Sequence, residues 1–249
     1  MIQAAGTAAA VMAAKPRPAK LARQLAGVLT WAGQHHRLNL PFQQPLHRVA
    51  MFNPRRFPKS MAWQLQWAVG LAARPASHKP VVWGPPDDNT SWIAVVDASH
   101  ADGRIGIILW NRHTDKGCIY SLPIPVMNQQ DAELYSFKVA LGKLAEVAPV
   151  GSQVSIISDS ESSLFAMCKL STKAVLVHRG RIMRQAAMIL HETDFQVCHS
   201  LQLTCTWRKG RTTMHSSLPL HQKERGFHQL QPLPTKLKNK RSTKRNCKS

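Results

Sequence analysis

Residues 1–86 contain no aspartate or glutamate, against 11 lysines and arginines. Residues 195–249 hold a single acid, Glu224, against 12 basic residues, while residues 87–194 carry 12 acidic and 10 basic ones. The formal charge of +20 over 249 residues therefore comes from two cationic flanks of +11 each around a middle of −2. A surface so short of negative charge attracts polyanions over long range, which makes nucleic acid the first partner to consider. A solvated basic face with no partner is the plain alternative.

Long apolar runs are also missing: no stretch approaches the ~18 residues of a membrane span, and no basic stretch continues as a strongly amphipathic helix. Membrane association is not expected. The opening Met1–Ala14 has no charge before Lys15, so it lacks the basic start of a secretory signal. Five cysteines, an odd number without close pairs, argue against a disulfide framework and for a reducing, intracellular compartment. Cys198, His199, Cys205 and His215 cluster in sequence, but their spacing fits no compact zinc pattern.

Two helices are expected in the first segment. In Lys20-Leu-Ala-Arg-Gln-Leu-Ala-Gly-Val-Leu-Thr-Trp31, the residues Leu21, Leu25, Val28, Leu29 and Ala32 recur at helical spacing, with Arg17, Lys20 and Arg23 beside them. A stretch marked by Pro41, Pro45, Pro54 and Pro58 reads as loop, followed by a second apolar run, Met61 to Leu71. Trp31, Trp63 and Trp67 are expected to pack rather than to stack on bases. Pro85-Pro86-Asp87-Asp88 reads as a linker, so the expected division is 1–87, a basic helical segment; 88–200, an α/β domain; and 201–249, a basic tail.

The middle segment opens with three strand candidates, Trp92–Asp97, Ile105–Trp110 and Cys118–Ile124, joined by short turns as an antiparallel meander. Asn128 can cap a helix over about 131–148, stopped by Pro149 and Gly151. Val154–Asp159 is a fourth strand, 162–170 a short helix, 181–191 another, and Phe195–Cys198 a fifth strand. The expected fold is a mixed α/β sheet of five strands in the order βββαβαβ.

That order places three acids together. Asp97 and Asp159 each end a strand, and a helix crossover makes the two strands parallel, bringing both to one carboxyl edge. Phe137, Ala140, Leu141, Leu144 and Ala148 follow Glu133 at helical intervals, which puts Glu133 in the first turn of the face that packs on the sheet. Each acid alone has an ordinary account: a turn aspartate, a glutamate favoured by the helix dipole, a cap. Together they would repel unless cations lay between them. Mg²⁺ takes oxygen ligands of this kind, and two such ions serve phosphodiester hydrolysis.

Val95-Val-Asp-Ala-Ser99, Asp131-Ala-Glu-Leu134 and Ile156-Ile-Ser-Asp-Ser160, in that succession, resemble the ribonuclease H domain attached to reverse transcriptases. Leu25-Ala-Gly-Val-Leu-Thr-Trp31 and Leu40-Pro-Phe-Gln-Gln-Pro-Leu46 are similar to the thumb and connection region that precedes that domain in retroelement polymerases, notably DIRS-like elements. The resemblance covers roughly residues 20–200. It implies hydrolysis of the RNA strand of an RNA–DNA hybrid with two Mg²⁺ or Mn²⁺ ions, Asp97, Glu133 and Asp159 standing at the first three metal-ligand positions. It also implies that the basic helix at 15–37 holds the duplex.

Two departures accompany the likeness. The only Asp-Asp pair, Asp87-Asp88, lies in the Pro-rich linker, so polymerase activity is not expected. The fourth carboxylate of the family, an Asp on a helix after the last strand, has no counterpart: Asp194 precedes that strand and only Glu224 follows it. Activity could thus be weakened or lost, leaving a noncatalytic basic nucleic-acid-binding protein as the alternative. Periodicity ends at Leu201, and the cationic run 236–245 is expected to be disordered. A frameshift in a retroelement copy is the favoured explanation of this tail; a nucleic-acid-binding or nuclear-import tail is the other.

Overall fold

The computed structural model describes residues 10, 19–34, 37–52, 62–73, 81–84, 86–125, 127–170, 176–201, 205–208 and 211–214. Most of the opening 1–14, the cationic run 236–245, His215 and Glu224 lie outside them. Residues up to Cys205 form one compact unit and Thr206–Ser249 a second.

The first helix, α1 (Ala19–Ala32), buries Ala22, Leu25, Ala26 and Leu29 on one stripe. A 3₁₀ turn at Leu40–Gln43 leads straight into α2 (Gln44–Phe52), and α3 (Ala62–Ala72) follows. The loop expected across the prolines is therefore partly helical. Pro41 stands at the start of the 3₁₀ turn and Pro45 in the first turn of α2, positions where the missing N–H has no partner to lose. Among the tryptophans, Trp67 packs as expected, stacked on Phe42 with centroids 5.6 Å apart, but Trp31 is 73% exposed.

The sheet strands are β1 (Val81–Trp83), β2 (Trp92–Ser99), β3 (Arg104–Asn111), β4 (Lys116–Pro123), β5 (Gln153–Ser158) and β6 (Gln196–Leu201), in the spatial order β1-β6-β5-β2-β3-β4. Three helices complete the unit: α4 (Gln129–Val147), α5 (Glu161–Lys169) and α6 (Val177–Thr193). The five expected strands are all present, β2, β3 and β4 as an antiparallel meander and β5 and β6 parallel to β2. This is a mixed α/β sheet. A sixth strand corrects the count: β1 pairs in parallel with β6, Val81 opposite Val197 and Trp83 opposite His199. Three residues are too few to show a period of two, and the surrounding prolines mask them in sequence.

One core runs through the unit, from Leu25, Phe42 and Leu65 of the helical segment to Ala94, Ile107, Phe137, Ile156 and Val197 around the sheet. The alternation along β2 and β3 explains how: Ala94, Val96 and Ala98, and Ile105, Ile107 and Leu109, point to the helix-covered face. Polar ties cross the same junction. Arg184, 7% exposed, donates from Nη1 to Gln44 Oε1 at 2.8 Å, Gln44 Nε2 donates to the Leu176 carbonyl at 3.1 Å, and Arg37 donates to the Cys168 carbonyl at 3.1 Å. A Cβ at Gly180 would collide with the Gln44 side-chain amide, so a larger residue there would displace it from Arg184 and the Leu176 carbonyl. Separately, Cys205–Arg208 (β7) and Arg211–Met214 (β8) pair as a two-stranded ribbon.

Candidate active site

β2 continues two residues past the expected end, to Ser99, because Asp97 pairs with Gly106 of the meander. β5 stops at Ser158, and Asp159 is the next residue. The parallel register of the two strands pairs Val95 with Ile157, and carried two residues further it sets Asp97 level with Asp159. Both side chains are exposed.

Glu133 reaches the same edge from α4. Asn128 caps that helix, its side chain accepting from the Asp131 N–H at 2.9 Å, which fixes where the first turn begins. Gln129 then joins helix to strand: its amide donates to the Ala98 carbonyl at 2.7 Å, beside Asp97, and to Glu133 Oε1. Burial raises the Glu133 carboxyl above the usual carboxylate range, and the negative charges of Asp159 and Asp97 raise it further. The Gln129 bond works in the opposite direction. Ser160 lies close enough to favour the charged form slightly, but its hydroxyl bonds Ser163 Oγ at 2.9 Å, and Glu133 Oε2 is buried without a hydrogen bond.

The three acids are thus brought to one edge, with Asp97 and Asp159 close enough to Glu133 to help raise its pKa. No described residue forms an ion pair with any of them, although Asp131 has Arg179 and Glu146 has Lys143. In a protein of charge +20 this is a notable omission. Among the described residues no three His, Cys, Asp or Glu side chains form a group that could hold a metal ion as they stand. The three side chains are all carboxylates, the oxygen-donor type that hard divalent cations take, and one of their oxygens, Glu133 Oε2, is buried and unbonded.

Sequence reasoning missed Gln129, whose role depends on the strand end lying one turn from the helix start. Of the four residues whose spacing fits no zinc pattern, His215 lies outside the described residues, His199 is fully buried against the Phe137 ring, centroids 5.4 Å apart, and Cys198 and His199, successive in β6, face opposite sides of the sheet. Burial lowers the His199 pKa to about 3; the Ile156 backbone opposes this slightly, yet neither ring nitrogen makes a hydrogen bond. A cleft lined by Trp63, Gln66, Trp67, Gly70, Leu71 and His191 contains none of the three acids. Among the described residues, no helix is long and apolar enough to cross a membrane.

The strand order, an antiparallel meander joined through helices to parallel strands, defines a mixed α/β unit. Among solved structures, the chain is similar to RNase H1 from the halophilic archaeon Halobacterium salinarum NRC-1, at 14% identity over 44% of this chain and 83% of that one, TM-score 0.36. It is similar to the N-terminal RNase H domain of a Mycobacterium tuberculosis protein, as a fusion protein with maltose-binding protein, at 13% identity over 44% of this chain and 84% of that one, TM-score 0.36. A third likeness is to the prototype foamy virus protease–reverse transcriptase, at 16% identity over 59% of this chain and 24% of that one, TM-score 0.35. At these values the likenesses bear on no residue's role. No protein-family model matches the chain, and no curated protein is detectably similar to it.

Proposed function

We propose that the chain is a metal-dependent nuclease of ribonuclease H type that cleaves the RNA strand of RNA–DNA hybrids. Residues 88–200 form the nuclease unit and residues 1–87 a basic helical segment that helps to hold the duplex. The observation that carries the reading is the convergence of Asp97, Glu133 and Asp159, without cationic partners among the described residues, at the carboxyl edge of β2 and β5. Asp97, Glu133 and Asp159 would hold Mg²⁺ or Mn²⁺, two ions being expected, and the bound metal supplies Lewis-acid activation of water and neutralises charge on the leaving oxygen.

The protein's own contribution is placement. Gln129 holds Glu133 against the end of β2, and the parallel strands set Asp97 beside Asp159. Lys20, Gln24, Gly27 and Trp31 lie along the exposed side of α1, with Arg23 on its flank, a face suited to phosphates and base or sugar surfaces. Duplex geometry and 2′-hydroxyls, rather than sequence, would select the hybrid.

A second reading is a nucleic-acid-binding protein without catalysis, and one observation favours it. No described residue after β6 is acidic, and Asp194, which precedes that strand, caps the C-terminus of α6 in the left-handed conformation (φ 53°). Hybrid cleavage by the full chain in Mg²⁺ or Mn²⁺, beside Asp97→Asn and Asp159→Asn, separates the two: cleavage abolished by both substitutions supports the nuclease, whereas metal-independent binding without cleavage supports the module.

A further inference from the structure

Strand β1 was not among the expected strands, and it places an aromatic side chain on the sheet's outer margin. Trp83 stacks on Phe165 of α5 with ring centroids 5.0 Å apart and planes 14° from parallel. Lys169, one helical turn beyond Phe165, holds its ammonium 5.8 Å from the Phe165 centroid. Each ring covers one face of the other, yet Trp83 remains 46% and Phe165 45% exposed. The stack therefore ends in solvent. Burying two large aromatic groups is ordinarily favourable, so a pair left half in water, with a cation beside it, has surface available for a planar partner.

The location narrows what that partner is. Trp83 is level with His199, Ile156 and Ala94 across the parallel strands. Asp159 lies three residues further along and two strands away, which corresponds to a backbone separation of roughly 14 Å. α5 spans that distance, starting two residues after Asp159 and presenting Glu161, Ser162, Phe165 and Lys169 on its exposed side. A nucleic acid strand leaving the three acids would reach the stack within a few nucleotides. In a duplex the base faces are already stacked, so the ring pair suits an unpaired base, with Lys169 available to its phosphate.

We propose that Trp83, Phe165 and Lys169 form a stacking subsite for the single-stranded segment next to the bound hybrid. The proposal rests on the nuclease reading above for the direction of the strand, and it adds a ligand feature, an unpaired overhang, that a blunt hybrid lacks.

The test uses the full chain with two fluorescently labelled substrates, a blunt RNA–DNA hybrid and the same hybrid with a six-nucleotide single-stranded extension, on either end in turn. Wild-type protein should bind one extended form about tenfold more tightly than the blunt one. Trp83→Ala and Phe165→Ala should remove that difference while leaving blunt-hybrid binding and the circular dichroism spectrum unchanged, and Trp83→Tyr should keep most of it. 2-Aminopurine at successive overhang positions should be quenched at one or two of them, and only when Trp83 is present. An overhang that adds nothing, or a gain that survives in both alanine variants, overturns the subsite but not the nuclease. Loss of self-association in Trp83→Ala with oligonucleotide binding intact also overturns it, since the stack would then serve a second copy of the chain. If blunt hybrid is neither bound nor cut while a free single strand is held through Trp83, the nuclease reading fails, and with it the placement of the subsite beside a bound hybrid, while stacking of an unpaired base on Trp83 stands.

Discussion

Replacing Glu133 by glutamine removes a charge that the metal-free fold accommodates poorly. Glu133 Oε2 is buried without a hydrogen bond, and its neighbours Asp159 and Asp97 are of like charge. An unbonded buried polar group costs about 1–3 kcal/mol, and because Glu133 is only half-buried the lower end applies. Glu133→Gln keeps an oxygen for the Gln129 amide and replaces Oε2 with an amide NH2 that is equally unbonded but uncharged. It is thereby relieved of the repulsion by Asp159 and Asp97 and of the burial of a charge, so the variant should be about 1 kcal/mol more stable in EDTA at pH 7.5. For a unit of this size that is a rise in Tm of roughly 2–4 °C. The pH dependence has a fixed sign. A carboxyl whose folded pKa is raised above its free value of 4.5 binds its proton more readily in the folded state, so wild-type stability declines as pH rises from 4.5 through the folded pKa. The advantage of the variant should therefore shrink toward zero as pH falls to 4.5. Mg²⁺ should reverse the ranking by stabilising wild type more than Glu133→Gln. Thermal melts of both proteins at pH 4.5 and 7.5, with EDTA or Mg²⁺, make the comparison. A variant that is less stable in EDTA, or an advantage that is the same at both pH values, would refute the reasoning.

Gln44→Ala should destabilise by about 2 kcal/mol, measured by urea unfolding, since it deprives the buried Arg184 guanidinium of an acceptor. His199→Leu should flatten the acid limb of stability. The lowered folded pKa of about 3 means that only the unfolded chain takes the proton between pH 3 and 6.5, so wild type loses stability as pH falls through that window and the variant should not. Gly27→Ala, at an exposed mid-helix position with nothing within 4 Å of the added methyl, should raise stability by about 0.5–1 kcal/mol in the same unfolding assay. Lys20→Ala combined with Arg23→Ala should lower the slope of log binding constant against log salt by roughly 1–2 for a hybrid, as two phosphate contacts are removed.

The meander, α4 and the crossover to β5 were legible because their signals are local: alternating or continuous apolar residues, Asn128 three residues before its N–H partner, Pro149 and Gly151 after the helix. Parallel pairing of β2 with β5 followed from the helix between them, and with it the meeting of Asp97 and Asp159. What stayed hidden depends on contacts distant in sequence. β1 exists because Val81 and Val82 find Val197 and Cys198, over a hundred residues away. The helix at Gln44–Phe52 was obscured by Pro45, which breaks a helix interior but suits a first turn. Trp31 lies on the same helix as Leu25 and Leu29, but a rotation of about 160° from the stripe centre carries it to solvent. Gln129 and Ser160 carry no recognisable signal in isolation, since their roles follow from the acid they stand beside.

The most direct measurement is hydrolysis of a labelled RNA–DNA hybrid by the full chain, with Mg²⁺, Mn²⁺ or EDTA, for wild type, Asp97→Asn and Asp159→Asn. Metal-dependent cleavage of the RNA strand by wild type, lost in both variants while hybrid binding persists, is the predicted result. Cleavage that survives in either variant or in EDTA, or no cleavage by a wild-type protein that binds the hybrid, would contradict the account.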